Sequence, residues 1–116
     1  MEMKDALAAL GALSQEHRLA IFRLLVQEGA DGLAASEIAN RLGIPAPTLS
    51  FHLKSLSQAG LIGARQAGRF IYYAAEYAVM NDLLGYLTEN CCQGRSCAPA
   101  TDTALASPIG KRRKSS

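Results

Sequence analysis

Cys91, Cys92 and Cys97 fall within one short segment, Asn90-Cys91-Cys92-Gln93-Gly94-Arg95-Ser96-Cys97, and the chain holds no other cysteine. A vicinal thiol pair with a third thiol five residues on can present three sulfurs to one soft, thiophilic centre. Gly94 gives the backbone the freedom to fold Cys97 back toward the pair. The three are too close together to staple a fold, and their odd number argues against a structural disulfide framework.

The rest of the chain must position this segment, and its size bounds how. With 116 residues, 49% of them hydrophobic, it has the length and composition of one globular domain. No stretch reaches the roughly 20 apolar residues of a bilayer span, so no membrane association is expected. The opening Met1-Glu2-Met3-Lys4-Asp5 lacks the basic-then-apolar pattern of a secretory signal, and the expected location is cytoplasmic. The net charge of +2 is unevenly spread. Residues 1–90 carry 7 Lys/Arg and 9 Asp/Glu, and residues 91–116 carry 5 and 1. Between Glu37 and Glu76 there is no acid, while Arg41, Lys54, Arg65 and Arg69 lie in that window. A surface that approaches phosphates should be cleared of negative charge in this way.

Hydrophobic spacing divides the chain into elements. Leu7, Leu10 and Leu13 among alanines predict an amphipathic helix over 3–13. Ser14 is the expected N-cap of a second helix over 15–28, with Leu19, Ile21, Phe22, Leu24, Leu25 and Val26 as its apolar face. Gly29 and Asp31-Gly32 end it. A short third helix is expected after Ser36 and stops at Gly43. Across Gly43-Ile44-Pro45-Ala46 a fourth begins, with Pro47 in its first turn and Leu49, Leu53 and Leu56 as core. Two such helices joined by a short Gly-containing turn are a helix-turn-helix pattern. Beyond Gly60 the period changes. Leu61-Ile62 opens a strand, Ala67-Gly68 is the expected turn, and Phe70-Ile71-Tyr72-Tyr73 returns, a hairpin wing with Arg65 and Arg69 flanking its tip. A last helix over 77–89 carries Val79, Leu83, Leu84 and Leu87. The fold class expected is mainly α with a β-hairpin wing, forming a homodimer through its first and last amphipathic helices. The divisions are a 1–90 DNA-binding and dimerisation domain, a 91–97 cysteine segment and a 98–116 tail. The tail ends in Lys111-Arg112-Arg113-Lys114, which either adds nonspecific affinity for DNA or does nothing specific.

Ser36-Glu37-Ile38-Ala39, Leu42-Gly43-Ile44, the run Pro47-Thr48-Leu49-Ser50-Phe51-His52-Leu53-Lys54-Ser55-Leu56, Ala59-Gly60-Leu61-Ile62 and Gly68-Arg69 before Tyr72-Tyr73 together resemble the ArsR/SmtB family of winged-helix metalloregulators, over roughly residues 5–90. The resemblance implies a homodimer on near-palindromic, double-stranded operator DNA that represses its own operon until an inducer arrives. It makes the fourth helix the recognition helix in the major groove, with Thr48, Ser50 and Phe51 toward base edges and Lys54 toward phosphate. His52 is expected either at the phosphate backbone or packed against the preceding helix. Arg65 and Arg69 are expected at the backbone or the adjacent minor groove. Ala46 and Phe51 stand where family members often carry a polar residue and a His, which leaves fewer hydrogen-bonding groups to read the operator.

The family's other inducer sites need cysteines before the turn or histidines on the last helix, and this chain has neither. Its only histidines are His17 and His52. Three thiolates with no imidazole suit a trivalent, pyramidal acceptor, so As(III) is the expected inducer, with Sb(III) next, held by Cys91, Cys92 and Cys97. The resemblance points to the same subgroup, the arsenic-responsive repressors with C-terminal cysteines. Alternatives on the same fold are a redox sensor, a sensor of methylated trivalent arsenic using Cys91 and Cys92 alone, and a soft divalent-metal sensor. No enzyme activity is expected: there is no anion loop or activated cysteine in a βα unit.

Overall fold

Local capping chemistry sets the helix boundaries, and in two places it differs from the expectation. The computed structural model describes residues 1–94, so Cys97 and the 98–116 tail lie outside the described residues. Helix α1 spans Met3–Leu13 and α2 spans Glu16–Glu28. Ser14 closes α1 rather than opening α2: its Oγ donates to the Gly11 carbonyl at 2.9 Å. The N-cap of α2 is Gln15, whose side-chain oxygen accepts from the Arg18 amide at 3.0 Å. Strand β1 (Leu33–Ala34) runs directly into α3 (Ala35–Leu42), so Ser36 lies inside the helix and Ala34 is the N-cap.

The turn after α3 depends on Gly43, which takes the left-handed conformation at φ +66°. The Ile44 amide then donates back to the Ala39 carbonyl at 3.1 Å. This six-residue closure is a Schellman-type stop, and it drops Ile44 into the core. Helix α4 (Ala46–Gln58) starts two residues later with Pro47 in its first turn, as expected. It ends with the Leu61 amide bonded to the Leu56 carbonyl at 3.0 Å, which seats Leu61 in the core.

Strands β2 (Ile62–Ala67) and β3 (Phe70–Ala75) form the hairpin, in register from Ile62 opposite Ala75 to Ala67 opposite Phe70. The connecting pair is Gly68-Arg69, one residue later than expected from the sequence. On its other edge β3 pairs antiparallel with β1, Leu33 opposite Tyr73, giving the sheet order β1-β3-β2. β1 is too short for a period to reveal it. Helix α5 follows over Tyr77–Leu87. It is anchored by the Tyr77 hydroxyl, which donates to the Val26 carbonyl at 2.9 Å. Among the described residues, no helix is long and apolar enough to cross a membrane.

The core is built from Ile21 and Leu25 of α2, Ile38 of α3, Leu49, Leu53 and Leu56 of α4, Leu61 and Ile62 at the hairpin base, and Leu83 of α5. Removing each such side chain from water stabilises the fold by roughly 1.5–3 kcal/mol before entropy is counted. In α1 Leu13 packs against the core. Ala6 and Ala9 pack inward, where their small size lets the helix lie close, while Met3, Leu7 and Leu10 are exposed. The chain divides into one unit over Met1–Tyr86 and a second beginning at Leu87. In the second, Cys91–Gly94 form a tight turn.

Candidate functional site

Helix α4 sorts its side chains by face. Leu49, His52, Leu53 and Leu56 are buried, and Thr48, Ser50, Phe51 and Lys54 are exposed. The exposed set therefore offers two hydroxyls, one ammonium and a phenyl ring that is 63% exposed. The helix opens at Pro45 with no acidic residue in its first turn, so the positive end of its dipole is unopposed by a local carboxylate.

His52 lies on the inward face and is 6% exposed. Of the two roles open to it, packing against the preceding elements is the one the geometry takes. Arg18 Nη1 lies 3.4 Å from His52 Nδ1, and Arg18 Nε donates to the Ala12 carbonyl at 2.7 Å. The His17 ring meets His52 edge-on at 5.4 Å between centroids. Burial, followed by the charge on Arg18 and then by His17, pushes the His52 pKa down. A neutral ring can accept from Arg18 and so ties α4 to α2 and, through Ala12, to the end of α1. Sequence reasoning missed Arg18. The only signal for it is a charged residue one position ahead of an apolar run.

On the wing the two arginines separate. Arg69 sits in the connecting loop, at the tip. Arg65 lies opposite Tyr72 within the ladder, two pairs down. Its Nη2 donates to the Asp31 carbonyl at 3.0 Å, and its guanidinium carbon lies 5.2 Å from the Tyr72 ring centroid. The expectation that both flank the tip therefore holds for Arg69 alone. Arg41, also in the acid-free window, is bound by Glu28 and Glu37, each at 3.1 Å. Phe70 beside the tip is 57% exposed.

Cys91 and Cys92 are both exposed, and their sulfurs lie 3.5 Å apart. Asn90, Cys92 and Gln93 all have left-handed φ values, between 56° and 59°, so the backbone curls tightly here. Among the described residues no cluster of three or more His, Cys, Asp or Glu side chains is assembled to hold a metal. The third expected ligand, Cys97, lies outside them.

A family model described as a helix-turn-helix domain matches residues 13–62. The chain is 36% identical over 76 residues to the transcriptional repressor SdpR of Bacillus subtilis (strain 168), covering 66% of this chain and 81% of that one. It is 31% identical over 84 residues to the arsenical resistance operon repressor of Staphylococcus aureus, covering 72% and 78%. Among solved structures it is similar to an ArsR-like transcriptional regulator from Rhodococcus sp. RHA1, with TM-score 0.69 and 28% identity over 78% of this chain and 83% of that one. It is also similar to the homodimeric winged helix-turn-helix DNA-binding domain of Mb0332 from Mycobacterium bovis, with TM-score 0.62 and 25% identity over 84% and 90%. These relatives are regulators rather than enzymes, and the helix-turn-helix, the wing and the identity together establish that the chain belongs to the ArsR/SmtB family of winged helix-turn-helix transcriptional regulators.

Proposed function

We propose that the chain is a homodimeric repressor that leaves its operator when trivalent arsenic, or antimony, binds Cys91, Cys92 and Cys97. The observation that carries the reading is the 3.5 Å separation of the Cys91 and Cys92 sulfurs. One soft atom with bonds of about 2.3 Å to both would subtend an angle of roughly 100°. Both sulfurs can therefore reach one soft centre. The arsenical resistance repressor among the relatives supports the same inducer.

Thr48, Ser50 and Phe51 are read as facing base edges in the major groove, with Lys54 and Arg69 on phosphate. Residues 1–90 act as the DNA-binding and dimerisation domain, 91–97 as the sensor and 98–116 as a basic tail. The homodimeric Mb0332 domain and the outward leucines of α1 support a dimer through the terminal helices. The sensor follows α5 directly in the chain. Ligation re-forms its turn, changes how the last helices pack, and takes the paired recognition helices out of register with half-sites one DNA turn apart, roughly 34 Å. A coupling of about 1–3 kcal/mol releases the operator.

The test is fluorescence anisotropy on a labelled fragment of the chain's own promoter, titrated with arsenite under reducing conditions. Release at one arsenite per protomer is expected, abolished in Cys91→Ser and Cys92→Ser with DNA binding intact. Variants that lose DNA binding would overturn this division of labour. A redox reading on the same fold, with Cys97 pairing to Cys91 or Cys92 under oxidant, predicts release by peroxide, reversal by dithiothreitol and no need for arsenite.

A further inference from the structure

Two of the three phenylalanines are exposed, and both lie on elements assigned to DNA: Phe51 on α4 and Phe70 on the wing. Phe70 is the first residue of β3 after the Gly68-Arg69 loop. Its cross-strand partner is Ala67, whose methyl leaves the ring uncovered. On its own face the ring leans against Tyr72, centroids 6.3 Å apart and tilted 52°. Tyr72 is capped in turn by the Arg65 guanidinium at 5.2 Å, and Arg65 is fixed to the Asp31 carbonyl. The result is a row of contacts, Arg65-Tyr72-Phe70, that runs from the middle of the hairpin to its tip and leaves an aromatic ring with one tilted neighbour in solvent.

We infer that Phe70 is a specificity-determining residue, an apolar contact that the wing seats in the minor groove at the outer flank of each half-site, and that Arg65 positions it through Tyr72. This rests on the operator-binding reading above. A phenyl ring has only two side-chain torsions to fix on docking, so much of the apolar area it buries counts toward affinity. Charge favours DNA as the occupant. Arg69 adjoins the ring, and the sequence around it has no acid between Glu37 and Glu76. Apolar side chains beside a cation are a common device of minor-groove binders, where they press on the sugar edges or a flexible base step. The minor groove displays only A·T-versus-G·C differences, so Phe70 should discriminate on that basis, through groove width and the guanine amino group.

The experiment uses the full chain on its own promoter duplex, with anisotropy read across a salt series for the wild type, Phe70→Ala, Phe70→Leu, Arg65→Ala and Arg69→Ala. Phe70→Ala should weaken binding about tenfold with an unchanged salt slope, because it removes apolar area rather than a cation from phosphate. Phe70→Leu should recover most of that affinity. Arg65→Ala should weaken binding in the wild-type background and have no further effect on Phe70→Ala. Replacing flanking A·T pairs by inosine·cytosine, which keeps the A·T minor-groove face, should be tolerated. Replacement by G·C should weaken the wild type and leave Phe70→Ala unmoved. Phe70→Ala binding within twofold of the wild type overturns the inference while leaving operator binding standing. A wild type that fails to bind the promoter overturns the operator reading and the inference with it. Dissociation of the dimer in Phe70→Ala by sedimentation would reassign the ring to an interface between copies and equally overturn it.

Discussion

The four cations of the acid-free stretch should contribute unequally to DNA affinity, in an order set by their partners within the fold. Arg41 is held by two carboxylates, Glu28 and Glu37 at 3.1 Å each, and its pKa is raised, chiefly by the Glu37 hydrogen bond. Its charge is already neutralised. Arg65 is spent on the Asp31 carbonyl and the Tyr72 ring. Among the described residues, Lys54 and Arg69 make no ion pair and are exposed. Every phosphate left without its cation makes log affinity less steep against log salt by about 0.9. Arg69→Ala strips one phosphate per protomer and two per dimer, so the slope should become shallower by about 1.8. Between about 50 and about 200 mM salt, the wild-type advantage over the variant should shrink roughly tenfold. Lys54→Ala should behave alike, and Arg41→Ala should leave the slope where it was. The assay is anisotropy on the promoter duplex at several salt concentrations, each variant first checked for wild-type thermal stability. An Arg41→Ala slope change as large as that of Arg69→Ala would refute the assignment, because it would mean that ion pairing does not remove a cation from the phosphate-binding set.

Two further outcomes follow from buried geometry. Burial, Arg18 and His17 hold the His52 pKa below its ordinary value of 6.5, so the unfolded chain takes up a proton that the folded chain refuses. The stabilisation is present above about pH 6.5 and is lost as pH falls through the folded pKa. Urea midpoints should fall over that range and fall less in His52→Gln, and an equal decline in both would exclude His52 as the source. The backbone at Gly32 makes the other prediction. With φ at +73°, a Cβ there would collide with the Tyr73 carbonyl oxygen, whereas at Gly43, φ +66°, a Cβ meets open space. Gly43→Ala should cost about 1 kcal/mol from the left-handed backbone alone, and Gly32→Ala distinctly more, since β1 must move off β3. Matching urea denaturation curves for the two variants would contradict this.

The elements legible in the sequence are those whose periodicity and punctuation agree. α4 is readable because Leu49, Leu53 and Leu56 keep a helical stripe between Pro47 and Gly60, and all three are buried. The hairpin is readable because the period changes after Gly60. The helix caps are not readable in this way. Ser14 and Ser36 have the right side chain for an N-cap, but the cap depends on which residue first leaves helical geometry. Here Gln15 and Ala34 do. In α1 both alanines and leucines recur at helical spacing. Which of them faces in depends on how closely α2 approaches, and that is not a local property.

The candidate site shows the same division between what is local and what is not. The outward positions of α4 follow from helical phase once its core face is known, so Thr48, Ser50, Phe51 and Lys54 can be assigned from spacing. His52 shares a motif with them and points the other way, because its position puts it in phase with Leu49 and Leu56 on the buried side. Charge is harder still. A stretch without acids looks uniformly basic along the chain, but Glu28 reaches Arg41 from thirteen residues away and the Asp31 carbonyl takes Arg65 from thirty-four. Long flexible cations find partners by tertiary proximity, and only the fold reveals which remain available. The same logic raises the importance of Phe70. When half of the window's arginines and lysines are committed within the protein, charge alone provides less of the grip on DNA. If the operator-binding reading holds, the exposed aromatic rings of α4 and the wing join Thr48 and Ser50 as the groups expected to discriminate between operator sequences.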